Sequence, residues 1–190
     1  MDNRTVYETV SQIPDADLIQ GKHILLRPIT YADTPDILRW RNDASVRDHF
    51  VFRKPFTKQM HEAWLKEKVL AGQAVQWIIC EGAADNPRAV GSVYLRDVDP
   101  VKKSAEYGIF IGEVSARGKG YAVEAARLVL AHAFRVLGLE TIGLRVYEEN
   151  ERAKNTYLAA GFRIVRTLAD VESTDGARGN MLWMEATPGI

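Results

Sequence analysis

From Ser115 to Val123 the chain reads Ser-Ala-Arg-Gly-Lys-Gly-Tyr-Ala-Val, two glycines set between a strand-like segment and a long apolar helical pattern. A backbone that turns this sharply immediately before a helix belongs to a strand–turn–helix unit, the building block of mixed α/β domains. Gly118 and Gly120 carry no Cβ, so the chain can take left-handed torsions there and bring several N–H groups together. The helix adds N–H groups without intrahelical acceptors and the positive end of its dipole. A diphosphate suits such a turn, so a phosphate-bearing cofactor is the first inference. Lys119 is followed by Gly120 rather than Ser or Thr, which argues against a P-loop, and no third glycine stands near Val123 to complete a dinucleotide fingerprint.

The flanking segments fill in the domain. His23 to Ile29 reads as a strand ended by Pro28, and Asp33 offers an N-cap for a helix through Leu38 to Arg41. Thr57 can cap a second helix, in which Met60, Trp64, Leu65 and Val69 recur at helical spacing before Gly72. Val75 to Cys80, Val90 to Val98 and Ala105 to Ile111 are strand candidates, with turns at Asp85-Asn86-Pro87 and Asp99-Pro100, and they predict an antiparallel meander. A helix from Gly120 to Leu137, a strand from Thr141 to Tyr147, a helix from Arg152 to Ala159 closed by Gly161, and two strands around Asp175-Gly176 complete the order. No composition break marks a linker, so residues 1–21 are expected as an N-terminal extension and 22–190 as a single domain with one core.

Two stretches carry a family resemblance. Arg117-x-x-Gly120-x-Ala122 resembles the acetyl-CoA diphosphate motif of the GNAT superfamily of N-acetyltransferases, Gln/Arg-x-x-Gly-x-Gly/Ala. Downstream, the run Asn150, Ala153, Tyr157, Gly161 and Phe162 is similar to that superfamily's Asn-x-x-Ala-x-x-x-Tyr-x-x-x-Gly-Phe segment. The likeness extends from Ile24 to Met184, and Trp40-Arg41-Asn42 with Gly118-Lys119-Gly120-Tyr121 points to the branch that acetylates ribosomal-protein N-termini, nucleotide-linked amino sugars and small amines. It implies a mixed α/β fold with a splayed, mostly antiparallel sheet of about seven strands and about four helices. It also implies acetyl-CoA as donor and no metal. On this resemblance Ile109, Phe110 and Ile111 offer backbone groups to the pantetheine arm, while Arg117, Gly118, Lys119, Gly120, Tyr121, Ala122, Asn150 and Asn155 form the rest of the cofactor site.

Each remaining candidate has a functional and a plain reading. The resemblance gives Tyr157 the role of acid to the leaving thiolate, and a helical tyrosine is also ordinary core packing. Glu106 could take the amine's proton as a base, or be a structural or substrate-contacting carboxylate in its strand. Asn150 is as well explained as the N-cap of its helix. Arg41 and Asn42 are candidates for shaping or contacting the acceptor site, with helix-dipole stabilisation as the alternative. Arg53, with Arg47 and Lys54 in the same loop, could read phosphate on an acceptor, or be a solvated charge run. His61 beside Trp64 is a candidate for the acceptor pocket or a polar surface residue. Cys80 sits in the apolar run Trp77-Ile78-Ile79-Cys80, which suggests burial rather than nucleophilic attack.

Composition narrows the partners. The chain has 25 Lys plus Arg against 25 Asp plus Glu, so no global field recruits nucleic acid. The single cysteine allows no intrachain disulfide, and neither a leader pattern nor a membrane-length apolar run is present, so a cytoplasmic protein without a membrane partner is expected. A homodimer is compatible with all of this. The expected function is acetyl-CoA-dependent N-acetylation by direct attack of a primary amine in a ternary complex, on a small molecule or a peptide. A nucleotide-linked amino sugar or a protein N-terminus is the first acceptor reading, because the loop Arg47 to Lys54 is cationic. The alternatives are a polyamine or other small amine, or a module that binds acetyl-CoA without turnover.

Overall fold

A computed structural model describes residues 6–82 and 87–189. The expected turn at Asp85-Asn86-Pro87 therefore falls largely outside the described residues. The strands are β1 (Ile19–Gln20), β2 (Ile24–Pro28), β3 (Ala74–Glu81), β4 (Arg88–Asp99), β5 (Ser104–Ile111), β6 (Thr141–Tyr147), β7 (Arg163–Glu172) and β8 (Arg178–Ala186). The helices are α1 (Thr34–Asn42), α2 (Ala44–Arg47), α3 (Lys58–Trp64, continued by a π turn over Leu65–Val69), α4 (Tyr121–Arg135) and α5 (Glu151–Ala160). The fold is mixed α/β, as expected, with eight described strands and five helices where the sequence suggested about seven and about four. The additions are short: β1, and α2, whose four residues are too few to show a periodicity.

The sheet runs β1-β2-β3-β4-β5-β6-β8-β7, antiparallel except for β5 against β6. Strand periodicity splits its apolar residues between two cores. On β2 and β3, Ile24, Leu26, Trp77 and Ile79 face one side, where α4 and α5 pack. Leu25, Ile78 and Cys80 face the other, where α1, α2 and α3 pack. This two-sided burial explains why β3 reads as a continuous apolar run rather than an alternating one. α4 contributes Ala125, Ala126, Val129, Leu130 and Ala133, one helical stripe whose small residues let it lie close to the strands. Each leucine or isoleucine so buried stabilises the fold by roughly 2 kcal/mol.

Residues 6–21 run along the domain. β1 pairs with β2, Tyr7 bridges to Thr30, and Val6 and Leu18 pack on the α1–α3 core. One expectation is corrected at the start of α1. Asp33 holds the N-cap position, but its side chain does not cap the helix. Its carboxylate instead accepts from Arg27 Nη1 and Nη2 at 2.8 and 2.6 Å and from the Thr30 N–H and hydroxyl. A buried charge keeps that geometry only when paired, so this ion pair fixes how α1 leaves β2.

Candidate active site

The site begins where the sheet opens. β5 pairs with β6 only through Ser104, Ala105 and Glu106, after which β6 continues alongside β8 and β5 continues alongside β4. From Tyr107 to Ile111 the β6-facing edge of β5 has no strand partner among the described residues. Such an edge presents N–H and C=O groups that an extended, amide-containing molecule can meet in β fashion. Gly108 shapes this edge. A Cβ there would stand 2.3 Å from the Tyr94 ring, so only glycine lets that ring cross the strand.

Below the opening lies the glycine turn. Gly118 and Gly120 have φ of +79° and +82°, the left-handed region that glycine adopts without strain. The Arg117 N–H bonds to Val114, and the Val123 and Glu124 N–H groups bond to Gly120. Between them, the N–H groups of Gly118, Lys119, Gly120, Tyr121 and Ala122 find no acceptor among the described residues. Five consecutive donors at the head of a fifteen-residue helix form an anion cradle that fits a diphosphate. The Arg117 side chain turns inward, with Nε donating to the Ile111 carbonyl at 3.1 Å and Nη2 to the Gly112 carbonyl and Ser45. It therefore braces the turn against the end of β5. Lys119 pairs with Glu81 at 3.1 Å.

A cavity of about 490 Å³ runs from this turn to the far side of the sheet. Its near wall includes Ile109, Phe110, Ile111, Arg117, Ala122, Asn150 and Ala153. Tyr157 stands in the middle of α5, its ring edge-on to Phe162 and Tyr107 at centroid distances of 5.9 and 6.1 Å. The glycine after the helix explains that contact. Gly161 at φ +111° reverses the chain and brings Phe162 back under Tyr157. Burial raises the Tyr157 phenol above the ordinary tyrosine range, so it keeps its proton at neutral pH. Its hydroxyl has no hydrogen-bond partner among the described residues. Asn150 caps α5, its Oδ1 accepting from the Ala153 N–H at 3.1 Å, and also lines the cavity. Asn155 is exposed on the opposite face of α5, away from the cavity wall.

The far wall is built differently. Glu106 is clasped by two guanidinium groups: Arg96, directly across from it on β4, at 2.6 Å, and Arg145 of β6 at 3.0 and 3.2 Å. Arg41 lies with its guanidinium carbon 3.6 Å from the Phe50 ring centroid and 5.4 Å from that of Phe56. Trp64 is held by Gln76, which in turn donates to Ser92. His61 lines the cavity fully buried, with Nδ1 3.0 Å from the Thr34 hydroxyl, and burial lowers its imidazole to about 4. The Trp-Arg-Asn run divides its labour. Trp40 packs over Gly112, Arg41 faces the cavity, and Asn42 holds the Phe56 backbone through bonds of 2.8 and 2.9 Å.

Two acceptor-site expectations are corrected. Asn42 does not reach the cavity; it positions the loop that stacks Phe56 on Arg41. Arg53 also turns away, donating to the Phe50 carbonyl at 3.0 Å, lying over Tyr147 and approaching Asp175 at 3.6 Å, while Arg47 pairs with Asp48. Sequence reasoning missed Arg96, Arg145, Tyr94 and the Phe50, Phe52 and Phe56 wall. Only Arg96 left a signal, since counting back from the Asp99-Pro100 turn sets it near Glu106. Burial pushes the Cys80 thiol up to about 11, so it is no nucleophile at neutral pH. Among the described residues no cluster of metal-ligating side chains comes together, and no helix is long and apolar enough to cross a membrane.

A split strand pair, a row of N–H donors at a helix start and a buried tyrosine between them have the chemistry to take a diphosphate-bearing thioester. Residues 23–163 match the family described as acetyltransferase (GNAT) domain, and the chain belongs to it. It is 31% identical over 141 residues to spermidine N(1)-acetyltransferase of Escherichia coli K12, spanning 74% of this chain and 73% of the relative. Spermidine N-acetyltransferase of Vibrio cholerae, in complex with CoA and spermine, shares its fold with a TM-score of 0.79 at 21% identity, over 87% of this chain and 95% of the other. A dodecameric structure of that enzyme superposes at 0.71 and 22% identity, over 87% and 94%. The protein is an N-acetyltransferase of the GNAT type that uses acetyl-CoA.

Proposed function

We propose that the protein transfers the acetyl group directly to the primary amine of a small acceptor, in one ternary complex. The observation that carries this is the continuity of a single cavity from Ala122 and Ile111, past Tyr157, to Glu106, Arg41 and Trp64. In this reading acetyl-CoA lies with its diphosphate on the N–H groups of Gly118 to Ala122 and its pantetheine arm along Ile109 to Ile111, with Asn150 beside it. Arg117 and Lys119 hold the turn in shape, and Tyr121 carries part of the cradle on its backbone. The amine nitrogen attacks the acetyl carbon, the carbon–sulfur bond breaks, and Tyr157 gives its proton to the departing thiolate. The amine's proton leaves through Glu106, directly or by water, and returns to Tyr157 through solvent. Asn155, exposed on α5, is left with no part beyond the outer rim.

The relatives named for spermidine favour the small-amine alternative over a nucleotide-linked sugar or a protein N-terminus. Self-association belongs to the same proposal. β7 ends the sheet with Ile164 and Val165 half exposed, and one fold neighbour is dodecameric. Thiol release from acetyl-CoA over a panel of primary amines, with both substrates varied, tests the mechanism. Intersecting initial-rate lines are expected. Parallel lines, or an acetylated Cys80 in the intact mass, would overturn direct transfer.

A further inference from the structure

The far wall of the cavity has the wrong sign for a polyamine. Arg41, Arg96 and Arg145 line it against a single carboxylate, Glu106, and both oxygens of that carboxylate already accept from Arg96 and Arg145. Arg41 makes no ion pair among the described residues. Its Nη2 has only a 3.4 Å approach to the Phe52 carbonyl, and its Nη1 is buried with no hydrogen-bond partner at all. Two aromatic rings nevertheless hold the group in place. A guanidinium keeps its charge under all ordinary conditions, and even partly burying one without a counter-ion is costly. A site that retains such a group is arranged for an anion that arrives with the ligand.

We infer that the acceptor is a primary amine that also carries an oxyanion, a carboxylate or a phosphate, which Arg41 pairs while the amine points toward Glu106 and Tyr157. This deepens the acetyltransferase reading and rests on it. Phe50, Phe52, Phe56, Trp64 and Tyr94 around Arg41 add room for an apolar body between the two ends. The cationic wall serves the chemistry as well. Nearby positive charge disfavours the ammonium form of the acceptor, so more of it is present as the neutral amine that can attack. The same field opposes a polycation, whose several ammonium groups would meet one carboxylate already engaged by two arginines.

Matched pairs of amines that differ only in the anion test this: phenethylamine against phenylalanine, ethanolamine against phosphoethanolamine, with spermidine as the polycation. Acetyl-CoA binding is measured first by calorimetry on the wild-type protein; failure to bind would overturn the acetyltransferase reading itself. With binding intact, the anionic member of at least one pair is expected to exceed its twin in kcat/KM by ten-fold or more, and spermidine to be the poorest. Which pair responds separates carboxylate from phosphate. Arg41→Gln should raise KM for the anionic amine ten-fold or more and move that of its anion-free twin much less, and Arg41→Lys should recover part of the loss. Equal rates within both pairs, no acetylation of any amine, preference for spermidine, or an unchanged ratio in Arg41→Gln would each overturn the inference. If Arg41→Gln does not fold, Arg41→Lys and the wild-type pair ratios decide alone.

Discussion

The two halves of the cavity are made of different material. The half proposed for acetyl-CoA is largely backbone: a strand edge from Tyr107 to Ile111 and five N–H groups from Gly118 to Ala122, none paired among the described residues. The half proposed for the acceptor is side chain: Arg41, Phe50, Phe56, Trp64, Tyr94, Arg96, Glu106 and Arg145, gathered from α1, the loop after α2, α3 and three strands. A backbone site accepts many side-chain sequences so long as its torsions are met, and so it suits a donor common to a whole family. A side-chain site changes sign and shape with single substitutions, and so it can be retuned for a new acceptor without disturbing the donor. In this chain the acceptor half sets three arginines, Arg41, Arg96 and Arg145, against the one carboxylate of Glu106.

Tyr157 stands at the junction, and replacing it gives the largest expected effect. Tyr157→Phe should lower kcat by roughly ten- to ten-thousand-fold while leaving acetyl-CoA affinity unchanged. A fall in affinity instead, with kcat preserved, would make Tyr157 part of the donor half and blur the division. Next in size is the backbone cradle. Gly120→Asp places a carboxylate beside the row of N–H groups and a side chain at φ +82°, and it should weaken acetyl-CoA binding by about a hundred-fold, or ~2.7 kcal/mol. Calorimetry on the folded variant measures it. An unchanged dissociation constant would remove the diphosphate from the turn.

Within the acceptor half, His61 offers a pH test of burial. Its imidazole is held at about 4 against an ordinary 6.5, so between those values the unfolded chain binds a proton that the native chain does not. The associated stability is fully present above pH 6.5 and is lost as the pH falls toward 4, by at most roughly 3 kcal/mol. Urea unfolding of wild type and His61→Gln at several pH values should show a flatter profile for the variant. Parallel profiles would mean that the His61 pocket is wet. The smallest effect is expected from Arg53→Ala with Lys54→Ala. Arg53 turns toward Asp175 and Tyr147 rather than the cavity, so acceptor KM should move less than about two-fold, with a stability loss of ~0.5 kcal/mol. A large rise in KM would return the loop to the acceptor site.

Much of the donor half could be read from the chain because its causes are local. Asn150 caps α5 and Gly161 ends it, each through bonds between residues a few positions apart, and in the acceptor half Thr57 caps α3 in the same local way. The two corrected residues failed for the opposite reason. Asn42 and Arg53 lie in the right segments, but whether a side chain faces a cavity or a loop carbonyl depends on partners such as Phe56 and Asp175, which sit 14 and 122 positions away. Asp33 is a different case, a local competition in which Arg27, six positions back, and Thr30 take the carboxylate from the helix start.

The sequence by itself determined the strand–turn–helix that cradles an anion, the helix that carries Tyr157, and the family to which both belong. Torsion angles at Gly118, Gly120 and Gly161 and the free N–H groups of a helix start are set by neighbours in the chain. Only the tertiary structure decided the character of the acceptor wall. Arg96 faces Glu106 through one strand register, Arg145 reaches it from a strand that parts from β5 just beyond, and the rings of Phe50 and Phe56 close on Arg41 from a separate loop. A slip of one residue in any of those strands would send its side chains to the opposite face of the sheet, and with them the charge the acceptor meets.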